Sequence, residues 1–372
     1  MSSAGRSGPV LTLDAGGTRI TVGGDPELIS QVDEVFADVP RVVDEIDAFE
    51  ELAVVATGTG AEIRRSDGTV IAAYTSIPAM IQGLAMVVTR HMMCRTRRVF
   101  LHAGVLVSPE GRSLAVAGPS GSGKTTLSAA LASAGWEVVS DEIVGFDPDA
   151  LTAHSWGRPF SIKAGSPFDR CPTDSSTAVD AVAMAPTGLG YRLRYSAPPV
   201  SHLVFPRYEP GASTELCPQQ RSHVLGFLIE NLRGKAVGVG ETLRVGGRVA
   251  AAAVGATLVH DDLDEAVEAI TAWTRTPVPA PLPVRCLEPP PPALTGPTLA
   301  PQSEGVWVGD HLALVQTVLR RTVVLGPDGG RLVEALDGRR SMAEITAQLS
   351  IDAGPGAVSD TIRTLAAFGF LR

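Results

Sequence analysis

The stretch Ser113–Leu127, SLAVAGPSGSGKTTL, leaves a chain few folds to choose from. An apolar run suited to a buried strand enters a glycine-rich loop. The loop enters TTLSAALASAG, where Ala and Leu fall at helical spacing until Gly135 stops them. Gly118, Gly123, Lys124 and Thr125 occupy the fixed positions of G-x-x-x-x-G-K-[ST]. In such a loop, backbone N–H groups point inward at phosphate oxygens and the helix N-terminus adds partial positive charge. The candidate phosphate contacts are Gly118, Ser120, Gly121, Ser122, Gly123, Lys124, Thr125 and Thr126. Lys124 is expected to reach the terminal phosphates and Thr125 to offer its hydroxyl to Mg²⁺.

One helix later comes VVSDE, with Asp141 and Glu142. Val138 and Val139 make an apolar strand, and the spacing predicts the acids at its C-terminal end, where parallel α/β sheets bind ligands. Adjacent acids suit two tasks, holding Mg²⁺ and taking the proton of an attacking hydroxyl. The alternative is a solvated strand end, which closeness to the glycine-rich loop disfavours.

The 372 residues suffice for two or three domains. Residues 10–90 alternate short β-rich runs with Gly/Asp turns, and IPAMIQGLAMVVTRHMMCR follows with helical periodicity. LDAGGTRI reads as a plain hairpin. Residues 1–8 read as disordered. Ten of the 28 prolines fall in residues 277–301, a run no compact core carries, so it reads as a semi-rigid linker. The expected segments are a β-rich subdomain at 1–92, a nucleotide-binding core at 93–276, a linker at 277–303 and a second folded unit at 304–372.

Composition narrows the partners. A net charge of −9 argues against duplex nucleic acid. There is no apolar run of membrane-spanning length and no signal-like N-terminus. The four isolated cysteines fit a reducing cytosol, so the expected location is cytoplasmic. The chain has only three lysines, Lys124, Lys163 and Lys235, among 31 basic residues, which marks each as a place where a compact ammonium is wanted.

LHAGVLV…GRSLAVAGPSGSGKTTLSAALASAGWEVVSDE resembles the catalytic core of the HPr kinase/phosphorylase family across about residues 98–147, and more weakly through GRPFSIKAG and HLVFPRY. The resemblance implies a serine kinase acting on a protein or peptide, with a P-loop core related to phosphoenolpyruvate carboxykinase and using ATP and Mg²⁺. Carried over, Lys124 contacts phosphate, Thr125 and Asp141 hold Mg²⁺, and Glu142 is the base. His102 lies near the phosphates or is an ordinary strand histidine. Lys163 and Arg207 are candidate cations for transition-state charge, or surface cations. The family's usual second Asp is Glu142 here and its E-I-R-G-x-G signature is missing, so HPr is not the expected substrate. HPr kinase-like enzymes are often oligomeric, which extends the expectation to a homo-oligomer.

Residues 304–372 read as three strands and three helices, with a capping box at Ser341 and Glu344. Their order resembles PqqD-type domains, winged-helix-like α+β elements that recognise precursors of ribosomally made, modified peptides. The resemblance implies a leader peptide added as a strand beside Val323, Val324 and Leu325, and packed on the helix bearing Ile362 and Leu365. An ordinary winged-helix module stays open as an alternative. The whole reads as an α/β kinase that phosphorylates a Ser or Thr hydroxyl of a precursor peptide, as in lasso-peptide tailoring. A regulatory ATP-binding subunit and a small-molecule kinase are the competing expectations.

Overall fold

A computed structural model describes residues 9–41, 50–58, 60–163, 168, 181–288, 296–353 and 355–372. The expected disorder of residues 1–8 and the tetraproline at 289–292 lie outside the described residues. The chain has the mixed α/β character expected, in two compact units. The first contains residues 1–217 and 257–276, the second 218–256 and 277–372.

In the first unit, residues 10–74 form a five-stranded sheet. Val10–Ala15 and Thr18–Gly24 are the hairpin read from LDAGGTRI, turned by Gly16 and Gly17 at φ 63° and 91°. Thr18–Gly24 then pairs in parallel with Glu50–Thr57. Parallel neighbours need a crossover, and it includes a helix, Pro26–Val35, that the sequence reading placed among β-rich runs. Its signals were local: Asp25 precedes it, Pro26 opens it, and Leu28, Ile29 and Val32 share a buried face. The helix Ile77–Arg95, capped by Ser76, lies where its periodicity put it. Leu84 and Val88 on it join Ile20, Val54 and Ile63 of the sheet in one core.

The second sheet of this unit is built round the strand Val99–Val107. On one side it pairs antiparallel with Ser113–Ala117, which in turn pairs in parallel with His202–Tyr208. On the other side lie Glu137–Ser140 and Ile143–Phe146, both antiparallel to it. The register carries through: His102 faces Ile143 and Val105 faces Ser140, so Asp141 and Glu142 interrupt one continuous pairing opposite Gly104 and Ala103. The acids do follow the C-terminal end of the strand Glu137–Ser140, as expected; that strand is parallel to Arg192–Leu193 on one edge and antiparallel to Val99–Val107 on the other. VVSDEIVGF is apolar on both sides of the acids, which suits one long strand with a break.

That break is held locally. Ser140 Oγ accepts from the N–H groups of Glu142 and Ile143 at 3.3 and 3.1 Å and donates to Ile143 O at 2.8 Å. The helix Lys124–Ser133 packs over the same place: a Cβ on Gly104 would lie 2.8 Å from Ser128 Oγ and 3.3 Å from Asp141 O. Leu127 and Leu131 of this helix meet Leu106, Leu114, Val116 and Val138 in a second core.

The second unit centres on a four-stranded antiparallel sheet, in the order Val284–Cys286, Ser303–Val308, His311–Gln316 and Arg321–Leu325. Its three later strands and the helices Pro327–Ala335, Met342–Ala353 and Pro355–Ala367 are those read from the tail. Ser341 and Glu344 make the reciprocal capping bonds, Ser341 N–H to Glu344 Oε2 at 2.7 Å and Glu344 N–H to Ser341 Oγ at 3.3 Å.

Two features differ from the expected segments. Val284–Cys286, inside the proline-rich stretch, is an edge strand rather than free spacer. Residues 218–256 belong with the tail, because helices Arg221–Asn231 and Val239–Ala252 pack on the sheet. Gly247 makes the approach close: a Cβ there would lie 2.8 Å from Val306 Cγ2. Prolines advertise a boundary in a sequence, whereas the partner of an amphipathic helix is fixed only by packing. No helix among the described residues is long and apolar enough to cross a membrane.

The Gly104 contact can be tested. Gly104→Val drives a side chain against Ser128 and the Asp141 backbone, and overpacking of this kind costs about 1–3 kcal/mol. Chemical denaturation should show that loss, accompanied by weaker nucleotide binding, because the helix carrying Lys124 must shift.

Candidate active site

The glycine-rich loop and the acidic break face one cleft of about 280 Å³. Ser120, Gly121, Gly123, Lys124, Thr125 and Thr126 line one wall. His102, Asp141, Glu142, Ser161 and Lys163 line the rest. The loop is shaped by glycine at Gly121 and Gly123, with φ of 85° and 89°, and Gly123 is the N-cap of the helix. Residues with a Cβ resist this left-handed backbone. The two remaining loop candidates play other parts. Gly118 lends its carbonyl to Lys124, and Ser122 Oγ is buried without a hydrogen-bond partner.

Lys124 is buried, and its ammonium donates to Gly118 O and Pro119 O, both at 2.9 Å. Burial, and then the charge of Lys163, lower its pKa, with Asp141 pulling the other way. The effect of Lys163 on Lys124 shows that two of the three lysines address the same space.

Asp141 is the most costly group in the cleft. It is 2% exposed, and neither carboxylate oxygen has a hydrogen-bond partner. Burial pushes its pKa up to about 6, against the pull of Arg158, the Ser161 N–H and Lys124. A carboxylate left so poorly satisfied is suited to a cation. Thr125 lines the same cleft, so these two residues fit Mg²⁺. Among the described residues no group of three or more His, Cys, Asp and Glu could hold a metal alone. The remaining ligands would come from nucleotide phosphates and water, the usual habit of Mg²⁺.

Glu142 is ion-paired with Arg158, whose guanidinium is almost wholly buried. Burial lowers the Arg158 pKa and the Asp141 carboxylate raises it. One buried guanidinium thus acts on both acids. Arg158 is only faintly marked in the sequence, as a single Arg in GRPF two residues before the buried Phe160. Ser161 was also missed, being an unremarkable strand residue. His102 is the one exposed side chain of an otherwise buried strand. Although the side chain reaches solvent, partial desolvation of the ring by its surroundings, then Lys124 and Arg158, lower its pKa, so the neutral ring is favoured and can act through hydrogen bonds rather than charge.

Not every candidate reaches a site. Arg207 does not line the cleft; it lies near the end of its strand, 60% exposed, and pairs with Glu209 at 2.8 Å. Surface pairs of this kind contribute little. In the second unit, Val323 and Ile362 are half-buried against the core, while Leu325 and Leu365 are part of it and cannot meet a ligand as they stand. Val324 points to the opposite face, with its Cγ2 3.5 Å from where a Gly226 Cβ would be. Strand alternation dictates this, since three consecutive residues cannot share one face.

No family model matches the chain. No curated protein sequence matches it either. Among solved structures, the Hpr(Ser) kinase/phosphatase from Coxiella burnetii is similar over 47% of this chain and 93% of that one, at 12% identity and a TM-score of 0.24. A likeness at that level adds no argument to the geometry.

Asp141 gives the site a pH signature. Folding raises its pKa from 3.8 to about 6. The stability it contributes is therefore fully present below pH 3.8 and is lost as pH climbs through 6, by about 2–3 kcal/mol at most. Denaturation of the nucleotide-free protein between pH 4.5 and about 7.5 should show this fall. Asp141→Asn should abolish the step, and Mg²⁺ with nucleotide should flatten it in the native chain.

Proposed function

We propose that the chain is a kinase-type phosphotransferase that passes a phosphoryl group from ATP to a Ser or Thr hydroxyl of a peptide, a ribosomally made precursor in the fullest form of the reading. The observation that carries it is the meeting, in one open cleft, of the glycine-rich loop with Asp141 and Glu142. A phosphate-binding loop alone serves many chemistries. An acid that fits a metal, beside a second acid at the rim, is what transfer to a hydroxyl requires.

The roles follow from position. Mg²⁺, when bound, would neutralise phosphate charge and orient the nucleotide. Asp141 and Thr125 would hold it. The Lys124 ammonium, now on two loop carbonyls, exchanges them for phosphate oxygens. Lys163 supplies a second cation to the same space, which suits the charge that develops on a transferring phosphoryl group. Glu142 accepts the proton of the attacking hydroxyl, with Arg158 fixing the direction of its carboxylate. Neutral His102 is placed to hydrogen-bond substrate without adding charge.

A peptide substrate is supported by the second unit. Strand Arg321–Leu325 pairs with His311–Gln316 on one side, and no strand lies on its other side among the described residues. A free edge takes an extended peptide through main-chain hydrogen bonds. Holding the substrate on the same chain raises its effective concentration at the cleft.

The test is phosphate transfer from radiolabelled ATP to the candidate precursor peptide. Lys124→Ala should abolish transfer. Glu142→Gln should lower kcat by about 10²–10⁴-fold, the usual worth of a general base, while nucleotide affinity is retained. Undiminished product formation by Glu142→Gln would instead favour a regulatory nucleotide-binding subunit.

A further inference from the structure

A second cleft, of about 670 Å³, lies wholly within the C-terminal unit and has no part in the chemistry above. Its walls are the end of helix Arg221–Asn231, the start of helix Val239–Ala252 with the loop between them, and the sheet around the Val315–Thr322 pair. This is the face of the sheet opposite to Val323.

Three cations line it, Arg233, Lys235 and Arg320, against one acid, Glu230. That balance opposes the chain as a whole, which carries a net charge of −9. Each lysine of the protein falls in a cleft: Lys124 and Lys163 in the first, Lys235 in the second. Arg233 donates through Nη1 to Glu230 O at 2.6 Å and Leu232 O at 2.7 Å. Lys235 and Arg320 have no ion pair or hydrogen bond among the described residues. Arg320 also sits at φ 53°, in the left-handed region where glycine is at ease and a long side chain is strained. Strain kept at a residue whose side chain does nothing for the fold points to a use for that side chain.

The floor is aliphatic, from Leu232, Leu243 and Val315, and Val239 at the mouth is 38% exposed. Cations round an apolar floor complement carboxylates interleaved with aliphatic side chains, and the volume is ample for several residues. We propose that this cleft binds an acidic, aliphatic-rich segment of a peptide, at a place separate from the free strand edge. The proposal rests on the peptide-kinase reading only for the source of that segment. Two contacts on one peptide would fix its register, so that one hydroxyl rather than its neighbours reaches Glu142.

The experiment uses the full chain without nucleotide. A fluorescein-labelled peptide alternating Glu and Leu, and its Lys–Leu counterpart, are followed by fluorescence polarisation across a salt titration. The acidic peptide should bind, with affinity falling as salt screens the charges, and the basic one should not. Lys235→Glu combined with Arg320→Glu should weaken binding at least about tenfold, the worth of a charge-assisted hydrogen bond, and Lys235→Arg should retain it. Arg320→Gly should weaken binding while the thermal midpoint holds or rises, a split that a structural role would not produce. ATP binding should be unchanged in the Lys235 variants. Equal binding by the double variant, or displacement of the peptide by inorganic phosphate alone, would overturn the proposal, the latter marking a small-anion site. Binding of the acidic peptide combined with no transfer from ATP to the candidate precursor peptide counts against the kinase reading and leaves the cleft standing; transfer to the precursor without such binding does the reverse.

Discussion

The candidate cleft depends on one costly arrangement, a buried carboxylate whose oxygens complete no hydrogen bond. Taking Asp141 out of water raises its pKa to about 6, and the protein sets against this only nearby positive charge and the pull of backbone N–H groups such as that of Ser161. Proteins rarely leave such a group uncompensated. The surrounding structure keeps it there: the antiparallel register between Val99–Val107 and Glu137–Phe146 places it opposite Gly104, Ser140 locks the break, and the phosphate-loop helix closes over it. Loosening any of these would let the carboxylate turn toward water, where it would be stable and of little use.

Both signs of charge meet at the cleft. Buried Arg158 pairs with Glu142 and acts on Asp141, and Lys124 and Lys163 line the same space as the two acids. Lys163 lowers the proton affinity of Lys124, a repulsion that an anion entering the cleft would relieve. The same physics accounts for neutral His102, whose ring would otherwise add a further positive charge to a crowded site.

Local signals reported local facts well. The glycine-rich loop, the helix after it, the helix Ile77–Arg95 and the Ser341 capping box are all where short-range chemistry places them. The misses share a cause. Arg207 resembled Lys163 as a cation beside a strand, yet only the path of the sheet decides that Lys163 meets Lys124 while Arg207 meets Glu209. Leu325 and Leu365 read as ligand contacts, and the packing of the tail claims them for its core. Arg158 carried no motif; its weight comes from burial and from its action on two acids distant in the turn of the chain.

The sequence alone determined the glycine-rich loop and its helix, the presence of two acids one helix away, the mixed α/β class and the elements of the tail, because each rests on residues within a few positions of one another. Only the tertiary structure decided that the acids break an antiparallel pair, that residues 218–256 join the tail, and that the third lysine lines a separate cleft. Those outcomes depend on which distant apolar faces bury each other, and burial is non-directional: a sequence shows that a face must be covered, and packing alone selects what covers it.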